Sequence, residues 1–155
     1  MIFATIGTQA PFDRFVKMLD ELCEGVKEEV VVQTIGSTYE PKNMMMVDFL
    51  PPDTFNEYFS KARLIIAHAG MGTILSALRQ DKPIIIVPRL ASLGEHRNDH
   101  QMATAMRLDE LGLVHVAYDK KQLRDLMVTP NLKPLKHIGD LAAQSLIKDI
   151  KSFIG

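Results

Sequence analysis

The chain has 155 residues, 46% hydrophobic and 24% charged, the balance of one ordinary soluble domain with a core of its own. That composition excludes disorder, collagen-like sequence and a multidomain machine. Eighteen Lys plus Arg stand against nineteen Asp plus Glu for a formal charge of −1, so there is no sequence-wide basic field to hold nucleic acid or an acidic membrane surface.

In chain order, Ile2 to Ile6 is a short, mostly apolar run ending at Gly7. Apolar residues then fall at Phe12, Phe15, Val16, Leu19, Leu22, Cys23 and Val26, a helical spacing. The β-branched run Val30 to Ile35 stops at Gly36, and the apolar stretch Met44 to Leu50 stops at Pro51 and Pro52. Both read as buried strands, with the three methionines Met44, Met45 and Met46 filling core space. Asp53 is placed to cap a short helix running to Ala62, after which Leu64 to Ala67 and Ile84 to Val87 are strands flanking the helical segment Thr73 to Gln80. A longer helix covers Asp99 to Leu111 and ends at Gly112. A strand near Val114 to Ala117 and a helix from Gln122 to Val128 follow. Pro130 to Pro134 sets off a last helix, starting at Leu135 and lying within 135–154.

This alternation predicts a single α/β domain over 1–155, with a Rossmann-like, mostly parallel sheet of about six strands covered on both faces, because right-handed crossovers return the chain to the same sheet edge. No apolar run approaches the roughly 20 residues of a membrane-spanning helix. The single cysteine, Cys23, has no internal partner, and the opening MIFATIG lacks a charged and then long apolar secretory leader. The expected compartment is the reducing cytoplasm.

In open parallel sheets ligands bind beyond the carboxyl ends of the strands. Three loops there are unusual: Gly7, Thr8, Gln9, Ala10, Pro11; His68 to Thr73; and Arg89 to His96. Gly70 and Gly72 just before a helix expose backbone N–H groups to a phosphate at the positive helix end, with Thr73 adding a hydroxyl. A tight turn needing glycine is the alternative. The dinucleotide fingerprint G-x-G-x-x-G fails at Leu75, and the G-x-x-x-x-G-K-[ST] loop fails because Met71 and Thr73, not Lys, follow the two glycines. The run Gly94, Glu95, His96, Arg97, Asn98, Asp99, His100, Gln101 is densely polar, as a polyhydroxylated ligand requires. His96 and His100 stand at i, i+4 without an H-E-x-x-H pattern or a third ligand, so no metal site is expected. His68 has two open roles, assisting a leaving phosphate or hydrogen-bonding a neighbouring loop. No G-x-S-x-G elbow suggests a hydrolase.

Taken together, TIGTQAPFDR, AHAGMGTILSALRQDKPIIIVPR and GEHRNDHQ resemble the C-terminal, donor-binding half of family 28 GT-B glycosyltransferases. The likeness extends to the family's small single-domain members, the catalytic subunits of two-component UDP-sugar transferases in eukaryotes and in bacterial exopolysaccharide assembly. It spans nearly the whole chain. It implies a UDP-sugar donor and no metal or other cofactor, with the diphosphate against Gly7, Thr8, Gly70, Gly72 and Thr73. The uracil would lie near Phe49 and Leu50, and the donor-sugar hydroxyls near Asp99, His100 and Gln101, with Gln9 and Glu95 in the matching loops. His68 matches the H-A-G motif of the small single-domain members, and His68 or His96 would assist the departing diphosphate. Ser76 departs from the pattern, since many relatives carry an acidic residue there for the ribose hydroxyls.

The resemblance also implies a separate, membrane-associated partner that supplies the acceptor-binding half and recruits this chain to the cytoplasmic membrane face. The acceptor would be lipid-linked. In the last helix Ile138, Leu141, Ile147, Ile150 and Ile154 form an apolar stripe that would dock on that partner or pack on its own sheet. Two other functions fit less of the sequence. One is a non-catalytic accessory subunit that activates a partner glycosyltransferase, which Ser76 favours; the other is a UDP-sugar epimerase, disfavoured by the single short domain.

Overall fold

The computed structural model describes residues 1–135 and 140–154. It contains strands β1 (Ile2–Thr5), β2 (Val30–Gln33), β3 (Met45–Val47), β4 (Leu64–His68), β5 (Ile84–Val87) and β6 (His115–Val116). The helices are α1 (Asp13–Leu22), α2 (Pro52–Lys61), α3 (Met71–Arg79), α4 (His100–Glu110), α5 (Lys120–Met127) and α6 (Asp140–Ile154), with a 3₁₀ turn at Ala91–Leu93. All strand pairs are parallel and the sheet order is β3-β2-β1-β4-β5-β6. The chain therefore builds outward from β1 in one direction and from β4 in the other. The topological switch lies between β1 and β4, and the loops leaving these two strands part around it.

Strand alternation divides the apolar residues into two layers. Phe3, Val31, Ile65, Ala67, Ile84 and Ile86 face the core that holds residues of α2, α3, α4 and α6. Ile2, Ala4, Val30, Val32, Leu64, Ile66, Ile85 and Val87 face the opposite core, built with α1 and α5. Both faces are covered, which is why the central strands read as continuous apolar runs. The expected fold class holds.

Several boundaries differ from the sequence reading. β2 ends at Gln33 rather than Ile35; at its end the side chains of Thr5 and Gln33 form a buried 2.6 Å hydrogen bond, and the Thr34 N–H still donates to Val47 at 2.9 Å. β3 shrinks to three residues at the sheet edge, where Met45 is 50% exposed and, of the three methionines, Met44 and Met46 pack on the core. α1 stops at Leu22, leaving Val26 exposed beyond it. Asp53 is not a cap: Pro51 occupies that position, Pro52 opens α2, and Asp53 lies in the first turn, where its charge suits the helix dipole. Leu135 is exposed and precedes α6.

Candidate functional site

Beyond the carboxyl edge of the sheet lies a cavity of about 590 Å³, lined by the loop after β1 (Gly7 to Ala10), by His68, Gly70, Gly72, Thr73 and Ser76 from β4 and α3, and by Arg89, His96 and Gln101. This volume is in the range of small-molecule sites. Thr5, Gln33 and Phe55 complete the deeper wall. α3 begins at Met71 with Gly70 in the cap position, and no side chain caps it. The backbone N–H groups of its first turn, including Gly72 and Thr73, thus meet the cavity without the intrahelical partners that later residues have.

His68 is pinched between two glycines. A Cβ on Gly7 would lie 2.8 Å from its Nε2 and a Cβ on Gly70 2.5 Å from it, so both loops approach the ring only because neither carries a side chain. Gly7 also has φ +80°, a backbone conformation that favours glycine. On the other side of the ring, Nδ1 lies 3.0 Å from Gln101 Nε2 and 3.5 Å from Arg89 Nε. Burial, the Arg89 charge and the neighbouring His96 push the His68 pKa down to about 4, which leaves the ring neutral at physiological pH.

Arg89 holds the site together. Its side chain donates to the carbonyls of Ile6 (2.8 Å), Ala10 (2.7 Å), Pro11 (2.7 Å) and Glu95 (3.3 Å), and its guanidinium stacks 4.8 Å from the Phe12 ring centre. One buried cation therefore fixes the loop after β1 against the loop after β5, a task suited to the planar five-donor guanidinium. Burial lowers its pKa, and Glu95 opposes that. The group stays charged, because an arginine is not deprotonated in proteins, and it places positive charge beside the cavity. Gln101 is equally committed: its Oε1 accepts from the backbone N–H groups of Ala69 (3.2 Å) and Arg89 (3.1 Å), joining the ends of β4 and β5.

No carboxylate is among the residues lining this cavity. Among the described residues no group of three His, Cys, Asp or Glu side chains is placed to hold a metal ion. What the wall offers is N–H donors, hydroxyls and a buried cation, a set suited to an anionic ligand such as a phosphate or diphosphate.

Glycosyltransferase family 28 C-terminal domain matches residues 5–150, nearly the whole chain. The chain belongs to this family. The UDP-N-acetylglucosamine transferase subunit ALG13 of Eremothecium gossypii is 43% identical over 53 residues, 34% of this chain and 24% of that protein. The mouse (Mus musculus) protein of the same name is 29% identical over 127 residues, 75% of this chain and 10% of that protein. The matched region thus spans a quarter or less of these relatives' own length. An NMR solution structure of ALG13 superimposes with a TM-score of 0.64 at 21% identity, covering 97% of this chain and 96% of that one. This last likeness concerns the fold.

Within this family 28 domain, the structure gathers Gly7, Thr8, Gln9, Gly70, Gly72, Thr73, Ser76, His68, His96 and Gln101 around one cavity. It leaves five other sequence candidates out of the wall. Phe49 is 63% exposed on the loop after β3, and Leu50 packs against the core. The aromatic side chain on the wall is Phe55, one turn into α2. Glu95 is held by Arg14 in a two-pronged ion pair at 2.7 and 3.0 Å and accepts from the Leu90 N–H at 2.9 Å. Asp99 precedes α4 and accepts from the Ala91 N–H at 3.2 Å. His100 is exposed at the first position of α4, so the His96 and His100 pair does not share a helix face. Gln101 reaches the cavity wall while its amide serves two backbone N–H groups and the His68 ring.

Sequence reading placed Arg89 at the start of the loop Arg89 to His96 without giving it a role of its own, and missed Phe55, Thr5 and Gln33. The signal for Arg89 was present: an arginine directly following the apolar run IIIVP is a charge at the end of a buried strand, where it must find partners.

Proposed function

We infer that this chain is the nucleotide-sugar-binding catalytic subunit of a hexosyltransferase that moves a sugar from a UDP donor to a lipid-linked acceptor. A membrane-associated partner supplies the acceptor-binding half. The observation that carries the reading is the convergence, in one cavity at the switch between β1 and β4, of the uncapped α3 N-terminus, the Gly7 loop, the His68 ring and the buried Arg89 charge. Family membership and the transferase-subunit name of its relatives support the same chemistry.

Transfer is direct displacement at the anomeric carbon. As the bond to the β-phosphate oxygen breaks, negative charge develops on UDP, and the preorganised N–H donors of Gly72 and Thr73, together with the Arg89 cation on the same cavity wall, stabilise it. His68 and His96 face the same region, His68 as a neutral ring. The acceptor hydroxyl needs a base within hydrogen-bond reach, and the carboxylate-free wall supports placing that base on the partner. Ser76 lines the cavity from α3, which supports a ribose contact weaker than an acid would make or one supplied elsewhere.

The test is calorimetric titration of the chain with UDP, ADP, GDP and NAD. Preferential binding of UDP is the expected result. Binding of none of the four favours an accessory subunit that activates another transferase, and preference for ADP or NAD refutes the uridine assignment. A transfer assay with the partner and a panel of UDP-sugars then identifies the hexose.

A further inference from the structure

The hydrogen-bond network behind His68 determines where its single proton sits. Gln101 Oε1 takes two backbone N–H groups, at 3.2 Å from Ala69 and 3.1 Å from Arg89, and only the carbonyl oxygen of an amide accepts. The amide orientation is thereby fixed, and the atom 3.0 Å from His68 Nδ1 is the donor Nε2. Arg89 Nε, a donor with no acceptor capacity, points at the same ring nitrogen from 3.5 Å. Nδ1 must therefore present its lone pair, and in the neutral ring the proton lies on Nε2. Nε2 is the atom caught between Gly7 and Gly70 on the cavity side.

We propose that Gln101, backed by Arg89, is a positioning residue that locks His68 in the Nε2–H tautomer and thereby makes the ring a fixed neutral hydrogen-bond donor to the ligand's diphosphate. This deepens the nucleotide reading and rests on it. Gln101 does so through both ends of its amide: its carbonyl clips the ends of β4 and β5 together, and its amide nitrogen sets the ring. The neutral donor stabilises the leaving diphosphate by hydrogen bonding rather than by handing over a proton, in keeping with the low His68 pKa of about 4.

The decisive variant is Gln101→Glu, which keeps the acceptor for Ala69 and Arg89 but replaces the amide donor with an accepting oxygen. Long-range proton–nitrogen correlation spectra of the full chain without ligand should show the His68 proton on Nε2 in the wild type and on Nδ1 in the variant. UDP affinity should fall roughly ten- to a hundredfold, the worth of a hydrogen bond to a charged group. An added carboxylate also repels a diphosphate, and a cycle with His68→Ala removes that ambiguity. In the His68→Ala background the same substitution should cost only roughly two- to threefold. Should Gln101→Glu fail to fold, Gln101→Met removes the amide donor without adding charge, leaves Arg89 Nε as the remaining donor toward Nδ1, and should lower the Nε2–H fraction with about a tenfold loss of affinity.

A wild-type proton on Nδ1, a reversed tautomer with unchanged UDP affinity, or equal losses in both backgrounds of the cycle each overturn the proposal. A wild-type chain with its proton on Nε2 that binds no UDP refutes the nucleotide reading instead, and with it the diphosphate end of this one.

Discussion

Gly70 and Gly72 stand two residues apart, yet the missing side chain matters differently at each. At Gly70 a methyl group would press on the His68 ring at 2.5 Å, within a cage already set by Gln101 and Arg89. At Gly72 an added Cβ meets nothing within 4 Å, because the position opens into the cavity. Gly70→Ala is expected to lower both stability, by about 1–3 kcal/mol through overpacking, and UDP binding. Gly72→Leu should leave the unfolding temperature unchanged or slightly raised, since leucine is the better helix former, while weakening UDP binding at least about tenfold. Thermal unfolding alongside UDP titration separates the two. Undiminished binding by Gly72→Leu would mean that the ligand does not cross this turn.

At the scale of elements, α1 acts as a post for the connection between β2 and β3. Asp13 and Asp20 lie two turns apart on one side of the helix. Asp13 accepts from the hydroxyls of Ser37 (2.7 Å) and Thr38 (3.0 Å), and the buried Asp20 from the Tyr39 hydroxyl (2.7 Å) and the N–H groups of Lys42 (3.0 Å) and Asn43 (2.8 Å). Burial pushes the Asp20 pKa up, but these donors and the Lys42 charge outweigh it and hold the carboxyl below its ordinary 3.8. A carboxyl with a depressed folded pKa contributes stability that is complete above the unfolded value. That contribution is lost as pH falls below about 3.8 and through the folded value. Asp20→Asn should therefore cost about 1–3 kcal/mol at neutral pH, and the two proteins should converge in acid. Urea unfolding across the acid range measures this, and a gap that stays constant with pH would refute the charged role.

For the whole molecule, α6 closes one face of the sheet. Ala143, Leu146 and Ile150 are buried in the core beside α3 and α4, and Arg107 of α4 binds Asp149 with two hydrogen bonds of 2.9 and 3.0 Å. Home packing thus claims Ile150, and Ile147 is half-buried against the same core. Of the remaining stripe residues, Ile138 and the side chains of Leu141 and Ile154 lie outside the described residues. Any partner that meets α6 must use the opposite face, where Gln144, Lys148 and Lys151 are exposed. Ile150→Ala should lower stability by about 2–4 kcal/mol, as for a core truncation. A loss within about 0.5 kcal/mol in denaturant titration would instead mark the position as surface. No described helix is long and apolar enough to cross a membrane.

The sequence by itself determined the order of elements and the fold class, because buried parallel strands write themselves as apolar runs such as Ile84 to Val87 between Pro83 and Pro88. It also marked the loops around Gly7 and Gly70, since residues that need open backbone at strand ends announce themselves by type. Only the tertiary structure decided which polar residues meet. Glu95 and Gln101 lie in one polar run, yet one is drawn away by Arg14 and the other into the gap between β4 and β5. Arg89 finds its carbonyl partners at Ile6, Ala10 and Pro11, about eighty positions back along the chain. Local pattern carries no information about such long-range pairing, which arises when the switch between β1 and β4 sets distant loops side by side.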